Sequence, residues 1–146
     1  MQTSYADPRM QVMGVPIFTM FAPFPISCFT SALLTDITYY NSANIQWANF
    51  SAWALALGEF FLGLLILITF IDIFVASRQH RQLAWFQLAL YILVFAVVMV
   101  NNFVHARDGW SAVVPQGLAL STISVVIMII AAFVGTRTLT SEVGGK

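Results

Sequence analysis

Four apolar stretches, residues 16–40, 51–77, 83–104 and 113–139, decide what this chain can become. Each reaches the roughly 20 residues that a helix needs to span about 30 Å of hydrocarbon. In lipid every backbone amide must be bonded internally, so these stretches are expected to be helices. The composition agrees. Of the 146 residues, 60% are hydrophobic and only 8% charged, too few charges to clothe a soluble domain of this size. The sequence therefore predicts an all-α protein. It forms one membrane domain over residues 1–146, an integral bundle of four transmembrane helices with short connections.

The first span is irregular. Its Ala22-Pro23-Phe24-Pro25 run lacks two amide donors and is expected to push Ala22 and Phe24 out of helical geometry. That would break the first helix at Pro23 and Pro25. The helix after Pro25 runs only about 24 Å to Tyr40 at ~1.5 Å per residue, short of a full crossing. Residues 15–24 are expected to complete it as a kinked piece buried against other helices. Ala54 and Gly58 in the second span, and Ala131 and Gly135 in the fourth, set small residues four apart for close helix packing. Asp108-Gly109 reads as a turn, and Pro115 suits the first turn of the last helix. Residues 1–13 read as a loose polar tail. The first apolar stretch lacks an Ala-x-Ala end, so it is expected to remain as an anchor.

Five of the six basic residues, Arg9, Arg78, Arg81, Arg137 and Lys146, fall on one side of such a bundle, with Arg107 alone opposite. The positive-inside rule then puts both termini in the cytoplasm of a bacterial inner membrane. Loops 41–50 and 105–112 would face the periplasm. Tyr39, Tyr40, Trp47 and Trp110 mark one membrane edge and Trp85 the other.

Polar groups in these spans must have a partner, a wet end or a task, because charge in hydrocarbon is costly. Asp36 lies one turn before the end of the first span. It is either a carboxylate at a wet boundary or the partner of His105, Arg107 or an asparagine of the third span. Glu59 is deeper, about eight residues or roughly 12 Å into the second span. It must be neutral or paired, with Asn101, Asn102, Gln116, Ser121 and Thr122 as partners at similar depth. Asp72, near the cytoplasmic end, reads as an anchor paired to Arg78 or Arg81, or as a functional acid. The run His105-Ala-Arg107-Asp108-Gly109-Trp110 is the most polar part of the periplasmic face. It reads as an interfacial turn with a tryptophan anchor, or as a docking surface for a protein partner, since Arg and Trp are enriched where interfaces bind hardest.

Several functions lose support. A net charge of zero argues against nucleic acid. One cysteine, Cys28, allows no intrachain disulfide. His80 and His105 would stand about 37 Å apart on a helix, too far to hold one haem or metal within one chain. No zinc spacing, phosphate loop, dinucleotide fingerprint or nucleophile elbow occurs. No catalytic, cofactor-binding or metal site is expected, and the chain does not read as an enzyme.

Pro23-Phe24-Pro25-Ile26, Leu34-Thr35-Asp36-Ile37, residues 47–53 (WANFSAW), Phe70-Ile71-Asp72 and residues 105–115 (HARDGWSAVVP) stand in this order. The chain so resembles the bacterial inner-membrane family called domain of unknown function 2231, over about residues 16–136. The resemblance implies four membrane helices and no established activity. Family members resemble neighbours of quinoprotein sugar dehydrogenases and cytochromes c, which implies an association with electron transfer. This chain departs from the family pattern at three places. Phe18-Thr19 stand where relatives tend to have His-Pro, Gln87 stands for a histidine early in the third helix, and residues 138–141 replace a Tyr-Arg-His stretch. If those histidines hold a cofactor in relatives, this chain lacks the ligands.

Three functions follow as expectations. The first is an accessory or docking subunit, binding a membrane or periplasmic protein or a second copy of itself. The second is a b-type electron carrier or quinone-site protein. The third is a small proton-coupled transporter centred on Glu59 and Asp36. The first agrees best with the absence of a cofactor constellation.

Overall fold

The computed structural model describes residues 11–12, 15–75, 78–107 and 113–143. A two-residue antiparallel ladder, β1 (Gln11–Val12) on β2 (Val15–Pro16), precedes the helices. The helices are α1 (Ile17–Phe21), α2 (Pro23–Ser42), α3 (Ile45–Val75), α4 (Arg78–His105) and α5 (Leu118–Val143), the last entered through a kinked segment, Val113–Gly117. Among the described residues four helical segments, Thr19–Ser42, Ile45–Phe74, Arg81–His105 and Val113–Gly135, are long and apolar enough to cross a membrane. The protein is an all-α bundle, as the hydropathy pattern predicts.

The packing follows a seam that the uniform apolarity of the spans hides. On α2 the buried positions are Pro25, Phe29, Ala32, Asp36 and Tyr39, and on α5 Gly117 opens a run through Ser121, Ser124, Met128, Ala131 and Gly135. On α3 they run Ala48, Ser51, Leu55, Gly58, Leu62, Leu65, Thr69 and Asp72, with Ile73 buried beside the last. Steps of three and four alternate, the 3.5-residue period of knobs-into-holes packing in a left-handed bundle. Each of α2, α3, α4 and α5 packs on the next, and α5 closes the ring on α2. Polar residues cluster on the seam, while Trp53, Phe60, Phe74, Phe103 and Phe133 point outward. That arrangement suits a lipid surround, which solvates apolar side chains and leaves polar ones to pair inside.

Gly58 sits at a close contact between α2 and α3. A Cβ there would lie 2.5 Å from Phe29 Cε1 and 2.9 Å from Cys28 Cβ. The small residue expected from the Ala54–Gly58 spacing is thus required by the chain's own packing.

Three sequence expectations need correction. The first span is interrupted at Ala22, as the prolines require, but Ala22 keeps right-handed helical dihedrals (φ −56°, ψ −35°) and Phe24 lies within α2. The prolines occupy the first positions of α2, where their missing N–H groups cost nothing, so the bend comes from lost hydrogen bonds rather than a rotated backbone. Phe24 stacks on Phe61 with ring centroids 4.5 Å apart, which fixes the bent segment against α3. Next, the expected loop over residues 41–50 shrinks to Ala43 and Asn44. Ala43 adopts the left-handed conformation (φ 53°) that ends α2, and Asn44 Oδ1 accepts from the Gln46 amide at 3.0 Å to start α3. Pro115, finally, lies before the regular helix rather than in its first turn. Val114 is extended (φ −121°, ψ 126°), the Val114–Pro115 bond is cis, and α5 begins at Leu118.

Candidate functional site

Where α2 and α4 end and α5 begins, four polar residues from three helices meet. His105 Nε2 lies 2.9 Å from Asp36 Oδ1, and both side chains are fully buried. Ser121 Oγ donates to Asp36 Oδ2 at 2.5 Å, and Asn101 Nδ2 donates to Ser121 Oγ at 2.8 Å. His105 Nδ1 lies 3.0 Å from the carbonyl oxygen of Asn101, one turn earlier on α4. Asn101 and His105 share a face because four residues make about one helical turn.

The chemistry of these partners fixes the protons. A backbone carbonyl only accepts, so Nδ1 carries a hydrogen. Nε2 and Oδ1 then hold one proton between them, as imidazolium and carboxylate or as imidazole and carboxylic acid. Both forms are neutral overall, which is what a site closed off from water tolerates. Ser121 passes its hydrogen to Asp36 and receives one from Asn101. Asn101 Oδ1 remains buried without a partner.

Gly117 makes room for this arrangement. A Cβ there would lie 2.8 Å from His105 Cε1 and 3.4 Å from Nδ1. The segment before α5 thus brings its backbone close against the imidazole.

Glu59 belongs to a separate contact. It lies halfway along α3, about 21 Å from Ile45 at ~1.5 Å per residue, because α3 starts earlier than the sequence suggests. Asn102 Nδ2 of α4 donates to Glu59 Oε2 at 2.6 Å, while Glu59 Oε1 is buried and has no partner. An open groove of about 470 Å³ runs beside it, lined by Ala56, Phe60, Gly63, Leu64, Leu67 and Phe95 as well as Glu59 itself. A third contact joins α2 to α3, with Thr35 Oγ1 and Ser51 Oγ 2.7 Å apart.

The candidate residues thus divide. Asp36 is fully buried and paired with His105, which overturns the reading of a carboxylate at a wet boundary. The reason is that the kinked segment Val113–Gly117 and α5 pack over that end of α2. Asn101 joins this cluster, whereas Glu59 takes Asn102. Ser121 sits at neither glutamate nor loop but on Asp36. Asp72 is 7% exposed near the end of α3. Its proposed partner Arg78 has a side chain outside those described, and Arg81 is exposed. Arg107 is exposed just beyond α4, and Asp108 and Trp110 lie outside the described residues. Gly117 and the Thr35–Ser51 pair escaped the sequence reading. A glycine two residues after a proline at the mouth of a span was the available signal for the first.

These features define a multi-pass membrane protein whose interior polar groups bind its helices to one another. The family model described as predicted membrane protein (DUF2231) matches residues 14–145, and the chain belongs to that family. No curated protein and no solved structure matches it.

Proposed function

We propose that this chain is a non-catalytic accessory subunit, docking in a larger bacterial membrane assembly. What supports the reading is that its most reactive groups are spent inside the bundle. Asp36, His105, Ser121 and Asn101 bond to one another, so the carboxylate, the imidazole and the hydroxyl are engaged in holding helices together. His105 uses both ring nitrogens, leaving no lone pair for a haem iron, which weighs against the b-type carrier built on that residue. A respiratory or redox assembly is the setting suggested by the neighbours of its family. Purification in mild detergent followed by mass spectrometry tests the reading. A stoichiometric membrane partner that persists through a second column is expected; recovery as a free protein at every step counts against it.

One observation favours a second reading, a small proton-coupled transporter. Glu59 lies at mid-span with a free oxygen beside an open groove. Proton flux into liposomes that is abolished by Glu59→Gln would support the transporter and displace the accessory role.

A further inference from the structure

We draw no further inference here: the strongest candidate, the buried side-chain cluster of Asp36, Asn101, His105 and Ser121 between α2, α4 and α5, belongs to the site already described, and the orphan Asn101 Oδ1 within it does not by itself identify a ligand.

Discussion

His105 Nε2 and Asp36 Oδ1 lie 2.9 Å apart across 69 positions of sequence, and their bond ties the end of α4 to α2. Because Ser121 holds the other carboxylate oxygen, the same aspartate also ties in α5. One carboxyl group thus fastens three of the four spanning helices, at the end where α5 enters. Losing it leaves buried donors on two helices without their acceptor at once.

Asp36→Leu is expected to destabilise the protein by about 3–5 kcal/mol, the range for removing one member of a buried charged pair. Reversible unfolding in mixed micelles measures it. Asp36→Asn keeps the volume and an acceptor for Ser121, and should cost less.

Gly117→Ala should cost about 1–3 kcal/mol, typical of overpacking, because its Cβ would stand 2.8 Å from a ring held at both nitrogens. Gly58→Ala should cost a similar amount through Phe29. Gly63→Ala should be neutral in the same unfolding assay, since its Cβ meets nothing closer than 3.9 Å.

Glu59→Gln should fold normally, as an amide can still accept from Asn102. Glu59→Leu should weaken the α3–α4 contact by about 1–2 kcal/mol, the scale of interhelical polar bonds in membranes. Equal stability of the leucine variant and the wild type would show that the Asn102 bond contributes nothing.

Both termini are expected in the cytoplasm. A cysteine at Ser111, outside the described residues, should react with a membrane-impermeant reagent from the periplasm, and one at Gln79 should not. The reverse pattern would invert the topology.

The four spans are legible in the sequence because hydropathy over some 20 residues needs no knowledge of neighbours. The bend at Pro23 and Pro25 is legible because proline chemistry is local. Facing is not. Asn101 and Asn102 are adjacent, yet a helix turns about 100° between them, so one meets Ser121 on α5 and the other Glu59 on α3. With every face apolar, no amphipathic stripe announces which way each points. Depth misleads for a similar reason. Asp36 lies near a helix end, and only the fold of residues 113–117 over that end decides that it is dry. Glu59 looked shallower than it is because Asn41, Ser42, Asn44 and Gln46 read as a polar loop. Most of that loop is the end of α2 and the start of α3.

Asp36 and His105 form one fastener, and a double-mutant cycle measures their coupling. Unfolding free energies of the wild type, Asp36→Asn, His105→Gln and the double variant give the coupling. A coupling energy above about 1 kcal/mol is predicted, because either single change strands the other residue in a dry site. Additivity within about 0.5 kcal/mol would show instead that the two side chains contribute independently and are not one fastener.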